Sequence, residues 1–180
     1  MRDGRLTQDK TSLCVLAFIV GLLLAASSAW AQSYEALTPL LIDLPGWKAD
    51  AAQGTSMDVQ GAKMTTATRT YEQDGKEIVA QIVTGGSAAA AANAMANTNA
   101  MQMENAEQKI SIKTIAGFQV TSTFNKVEKS GTMMIVLAQG KDSGGFFSFT
   151  FKGITDEEAS KLAEKFDLKK MQEAATGGKK

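Results

Sequence analysis

The chain has 180 residues, with 19 Lys and Arg against 19 Asp and Glu, one cysteine, two prolines and no histidine. That length suits one domain, and the missing imidazole excludes a Ser-His-Asp triad, a Cys-His pair and a histidine-ligated zinc. Balanced charge excludes the strongly basic surface that nucleic-acid binding uses, so no nucleic-acid partner is expected.

Arg2, Arg5 and Lys10 precede an apolar run from Leu13 to Ala26, and small residues follow as far as Ala29-Trp30-Ala31. That order of charged, apolar and small residues is the order of a secretory signal peptide. The run is shorter than the roughly 20 residues that cross a hydrocarbon core. A cleaved signal over 1–31 is therefore predicted, cut between Ala31 and Gln32, with a periplasmic mature protein. Cys14 lies at the start of the apolar run rather than just after it, so it is no lipid acceptor and leaves with the leader. The mature chain then has neither disulfide nor thiol and must be stable on its core alone. The leader carries three basic and two acidic residues, which keeps the remainder close to neutral. Large aliphatic residues are sparse, but disorder would also need a high net charge. One α+β domain over 32–175 is expected, with a disordered tail over 176–180.

Leu37, Leu40, Leu41 and Leu44 fall at i, i+3, i+4 and i+7, one face of a helix. Thr38-Pro39 suits an N-cap and first helical position, and Pro45-Gly46 ends the element. This helix either lids the core or, with Trp47 as anchor, docks on an envelope protein or a membrane surface. On the docking reading, deleting Gln32 to Asp43 leaves the fold intact. Strands are predicted at Lys63 to Glu72 and Lys76 to Val83, joined through Gln73-Asp74-Gly75, which tolerates the positive φ of a hairpin turn. From Ser87 to about Asn105 the alanine-rich chain has no Pro or Gly and reads as a helix capped by Ser87. Strand periodicity returns at Ile110 and Ile112, then at Phe118, Val120, Ser122 and Phe124, with a turn at Lys129-Ser130-Gly131. Met133 to Ala138 is continuously apolar, as in a central strand covered on both sides. A loop from Gly140 to Gly145 leads to Phe147, Phe149 and Phe151, so a three-strand antiparallel meander with an aromatic inner face is predicted. Thr155 and Glu158 have capping-box spacing, and Ala159, Leu162, Ala163 and Phe166 form the stripe of a C-terminal amphipathic helix.

Hairpin, Ala-rich helix, meander and C-terminal helix, with Leu44-Pro45-Gly46-Trp47 leading into the first strand, resemble the PsbP-like fold over about Gly46 to Met171. The resemblance implies an antiparallel sheet flanked by helices, in a family of small periplasmic and lumenal proteins that are mostly accessory or binding proteins. It assigns no residue a role.

Gly85-Gly86-Ser87 matches neither a phosphate-binding loop nor a dinucleotide fingerprint and reads as a turn plus N-cap. Met95, Met101 and Met103 are soft donors, yet on one helix they point apart, so no metal site is expected. Asp156-Glu157-Glu158, Glu72 and Asp74 have structural explanations at a helix start and a turn, and Asp142 alone is too few ligands for calcium. Serine-lysine neighbours occur at Lys129-Ser130, in a turn, and at Ser160-Lys161, expected on the solvent side of the last helix. No catalytic residue, cofactor or metal ligand is assigned. The expectation is a non-catalytic envelope protein that binds a protein partner or small apolar ligand through Leu37, Leu40, Leu41, Leu44 and Trp47. The rival is a histidine-independent enzyme using carboxylates or a Ser/Lys pair, which a lysine placed beside a serine would favour.

Overall fold

A computed structural model describes residues 33–59, 62–96, 102–140 and 144–177. The proposed leader and its cut site lie outside them. The fold is α+β: among the described residues, a single antiparallel sheet of nine strands carries short helices.

The chain enters through helix α1 (Tyr34–Leu37) and a 3₁₀ turn (Thr38–Leu40). Ser33 rather than Thr38 is the N-cap, its hydroxyl accepting from the Glu35 N–H, while Pro39 sits in the 3₁₀ turn. Pro45 and Gly46 (φ 84) then form a tight turn closed by the Trp47 N–H on the Leu44 carbonyl. Pro supplies the first central residue of such a turn and Gly the positive φ of the second. Strands β1 (Lys48–Ala49) and β2 (Gln53–Val59) follow, both pairing with β3 (Ala62–Gln73). Sequence periodicity misses them because QGTSMDV has no apolar alternation, as an edge strand with little to bury need not. Strand β4 (Lys76–Gly85) returns from the predicted hairpin, with Asp74 (φ 49) and Gly75 (φ 76) both left-handed as its two-residue turn demands.

Helix α2 covers Gly86–Ala96, and the helix expected as far as Asn105 does not reach it. Met103–Glu104 is already strand β5, and the Asn105 carboxamide accepts the Glu107 and Gln108 N–H groups in a local turn. An Asn that captures backbone donors in this way competes with helix. Strands β6 (Gln108–Ile115), β7 (Phe118–Asn125), β8 (Ser130–Ala138) and β9 (Gly145–Lys152) form a four-strand meander. The turn before β8 is Lys126 to Lys129, and Ser130-Gly131 belongs to the strand. Strand β9 pairs with β4, so the order across the sheet is β1-β3-β4-β9-β8-β7-β6-β5, with β2 beside β1 on the same edge of β3.

The inner face of the sheet holds the core. Tyr71, Ile78 and Phe151 stand in one row, and Ala67, Ile82, Phe147, Ile135 and Val120 in another. The predicted C-terminal helix is two helices, α3 (Asp156–Ala163) and α4 (Leu168–Ala175). The break lets Phe166 insert between them, its ring 5.1 Å from Phe147 and 6.0 Å from Phe149. Asp167 enforces that break by capping the Lys170 N–H. Thr176 and Gly177 close α4 rather than opening a tail, and 178–180 lie outside the described residues. Helix α2 buries Ala88, Ala89 and Ala92 beside the ends of β3, β4, β8 and β9, apart from the main core.

A second two-residue hairpin turn, Ala116 (φ 49) and Gly117 (φ 88), joins β6 to β7. Alanine is strained in the left-handed region and asparagine much less so. Ala116→Asn is therefore expected to raise stability by about 0.5–1 kcal/mol in urea melts with an unchanged m value, and a midpoint at or below wild type would refute the strain.

Candidate functional site

The predicted docking residues do not form an exposed face. Leu37, Leu41 and Leu44 are buried in the core at 0%, 1% and 2% exposure, and Leu40 and Trp47 are half-buried against it. The helical spacing was real in the sequence, but the chain bends at the 3₁₀ turn and presses the leucines onto the inner sheet face. Arg69 of β3 holds the segment there. Its Nε donates to the Asp50 carbonyl at 2.8 Å, Nη1 to the Leu41 carbonyl at 2.6 Å, and Nη2 reaches the Asp43 carboxylate. Tyr71, under the Arg69 guanidinium, donates its hydroxyl to the Ile42 carbonyl at 2.8 Å. Burial pushes the Tyr71 phenol up to about 12, with Arg69 acting in the opposite direction. The segment is a strap that completes the core.

The second place to look is where α3 meets the meander. Asp156 is buried at the first turn of α3, and its Oδ1 accepts from the Ser122 hydroxyl at 2.6 Å and from Lys113 Nζ at 3.0 Å. Lys113 Nζ also lies 2.5 Å from Ser160 Oγ. Ser160 thus faces the sheet, against the expectation of a solvent-side position, and a lysine stands beside a serine after all. The chemistry it offers is limited. The Ser160 hydroxyl gives its proton to the Asp156 carbonyl at 2.6 Å, and the Lys113 ammonium is a donor held by a carboxylate. A base for serine must accept a proton from it, and here the lysine donates. Next to the cluster, the Thr155 N–H and hydroxyl hold the Glu158 carboxyl below its ordinary value, completing the capping box. The group as a whole clamps α3 to β6 and β7.

Metal chemistry finds no better footing. Met103 lies in β5, exposed and off the helix that carries Met95, while Met101 and Asp142 fall outside the described residues. Among the described residues no group of three or more acidic or thiol ligands converges. Asp74 sits at its hairpin turn and Glu72 on β3 opposite Glu77.

The third place is the outer face of the sheet. Because side chains alternate, the registers fix which residues share it. One row reads Thr70, Val79, Thr150, Thr132, Thr123 and Ile110, and the next Thr68, Gln81, Ser148, Met134, Thr121 and Ile112. A third contains Thr66, Val83, Phe146 and Val136, of which Val83 is buried at the α2 end. None of these side chains carries a charge, in a chain that is 21% charged. Charges resume only in the row at the far margin, with Glu72, Glu77 and Lys152. Two pairs of polar groups on the face bond laterally, Gln81 with Thr68 and Thr132 with Thr150, each at 3.2 Å. A shallow hollow lies toward the charged margin of the face, lined by Val79, Thr132 and Thr150 together with Glu77 and Lys152.

Sequence reading missed this face, although its signal was in the run Met133 to Ala138. Only Met133, Ile135, Leu137 and Ala138 are buried, while Met134 and Val136 point outward and are half-exposed. The strand is central but not covered on both sides. Ile110 and Ile112 likewise point outward, and their neighbours Ser111 and Lys113 point in. Comparison of the chain with known protein families, curated proteins and solved structures gives no match. Among the described residues no helix is long and apolar enough to cross a membrane.

Two outcomes follow for the inner face. Deleting 32–43 removes two fully buried leucines, each worth about 2–5 kcal/mol, so cooperative thermal unfolding should be lost; a truncated protein that still melts cooperatively would return the strap to a docking role. For Tyr71 the unfolded chain loses its phenolic proton near pH 10 and the folded chain only near pH 12. The folded state then binds more protons, so the stability this group contributes is present below pH 10 and is lost as pH rises through about 12. Guanidinium melts at pH 8 and pH 11 should show a smaller alkaline loss for Tyr71→Phe than for wild type, after a loss of roughly 1 kcal/mol at pH 8 from the missing hydrogen bond.

Proposed function

We propose that this chain is an exported, non-catalytic envelope protein that binds a protein partner or small apolar ligand through the outer face of its sheet. The observation that supports this reading is the absence of charge across three rows of that face. A solvated sheet face ordinarily mixes polar and charged residues, whereas here half-exposed Val79, Ile110, Ile112, Met134, Val136 and Phe146 lie among uncharged hydroxyls, and contiguous apolar surface of this kind marks interaction sites. Lateral bonding among its hydroxyl and amide groups lowers the desolvation penalty when a partner covers them. The leader supports export, and the hairpin, helix, meander and helix order supports the PsbP-like resemblance.

A specific contact favours a second reading. Lys113 lies beside Ser160, as a serine hydrolase without histidine would require. Against it stand the direction of the two hydrogen bonds and the ion pair to Asp156. On the binding reading, a fluorophosphonate probe leaves Ser160 unlabelled, and Asp156→Ala lowers stability by about 3 kcal/mol by stranding Lys113. Labelling of Ser160 that Lys113→Met abolishes would establish the enzyme instead.

Site-specific photocrosslinking in the envelope tests the binding face directly. A benzophenone side chain at Thr132 or Thr150 should give discrete adducts, and one at Lys161, exposed on α3, should not. Equal yields from all three positions would refute the assignment.

A further inference from the structure

The outer face has the size, charge and shape of a surface that a second copy of the same chain can cover, and we propose that two chains pack their sheets face to face about a two-fold axis. The inference rests on the outer face being the binding surface and adds the identity of its occupant. In an isologous contact each group meets copies of the same patch, so any net charge on it would repel itself. Here the rows from Thr70 to Ile110 and from Thr68 to Ile112 carry none, and neither do Phe146 and Val136 beside them. Charged side chains are confined to the margin at Glu72, Glu77 and Lys152, the rim of such a contact.

Area gives the second support. The two six-strand rows and the three partly exposed positions of the third, each about 4.8 Å by about 6.7 Å, span on the order of 500 Å² on each copy. Two such faces bury about 1,000 Å², the size of a weak, reversible interface. Shape gives the third. Sheets pack face to face when both carry the same right-handed twist, with strands aligned at about −30°. A second copy supplies that twist by construction. Met134 at mid-face, with Val136 and Phe146 in the row beside it, would form the dry part of the contact, Ile110 and Ile112 would flank it on β6, and the threonine and glutamine pairs would enter it with their hydrogen bonds already made.

Ser148 lies mid-face, between Gln81 and Met134. Sedimentation of the protein purified from an exporting host should show a monomer–dimer equilibrium with a midpoint on the order of 10 µM, as expected for an interface of this size. Ser148→Glu and Ser148→Lys should each weaken it by at least about 30-fold through like-charge contact, and an equimolar mixture of the two should recover association. Circular dichroism and urea midpoints of the variants should match wild type, and Thr132→Lys replaces either variant that fails to fold. A wild type that stays monomeric at about 200 µM overturns the proposal, and so does a dimer that Ser148→Glu leaves intact. A monomer whose Thr132 crosslinks to another protein overturns the second copy alone, whereas a monomer with no face-specific crosslink removes the binding face itself.

Discussion

The pairing of β4 with β9 is the contact on which the rest of this fold depends. It runs from Glu77 opposite Lys152 to Thr84 opposite Gly145 and joins two meanders that are far apart in the chain. Without it neither the core nor the outer face is continuous: Phe147 and Phe149 would lose Ile82 and Ala80 as neighbours, and the threonine rows would end at β4. The joint is long-range and made late in the chain, so closing it carries a substantial loop entropy that only the assembled aromatic core repays. Phe166 shows how tightly that core is specified. It lies within ring contact of Phe147 and Phe149 on β9 and of Tyr71 on β3, so it spans the joint.

Two polar clamps hold the covering layer on the inner face, one toward each end of the sheet. Arg69 ties the N-terminal strap to β3 through two carbonyls and a carboxylate, and Asp156 ties α3 to β6 and β7 through Ser122 and Lys113. Both set a charged group on a face that is otherwise apolar, which is tolerable because each buried polar atom finds a partner. They explain why short helices suffice here. A helix of eight residues has little intrinsic stability in water, and these are held by packing and by side-chain anchors.

Features governed by local chemistry were legible in the sequence. The Asp74-Gly75 turn and the Thr155 capping box stand where residue type and spacing put them, since each depends on a handful of adjacent residues. The docking face at Leu37 to Leu44 was not legible, because periodicity reports that a face is apolar and not what covers it. The same ambiguity hid the true candidate surface. Met133 to Ala138 carries the same pattern whether its second face meets another layer of this chain, another molecule or water, and only the register with β7 and β9 shows that Met134 and Val136 look outward. Ser160 was misplaced for a related reason: its partner Lys113 comes from a strand that turns Lys109, Ser111 and Lys113 inward before buried Ile115, against the usual alternation.

The outer face also bears on which contacts the sheet leaves open. A sheet ordinarily protects itself at its edges, and here the edges are managed. One is capped by the two-residue β5, with Lys126 bonded to Glu104 and to the Asn105 carbonyl, and the other is divided between β1 and β2, with Arg69 bonded to the Asp50 carbonyl in between. The blunting is partial, since among the described residues β2 and positions 111–115 of β6 pair on one side alone. The face is open as well, and its two lateral pairs, Gln81 with Thr68 and Thr132 with Thr150, leave fewer free polar groups for a random partner. A surface without charge can discriminate only by shape and twist, and a face closed on one matching sheet would have nothing left to recruit a third.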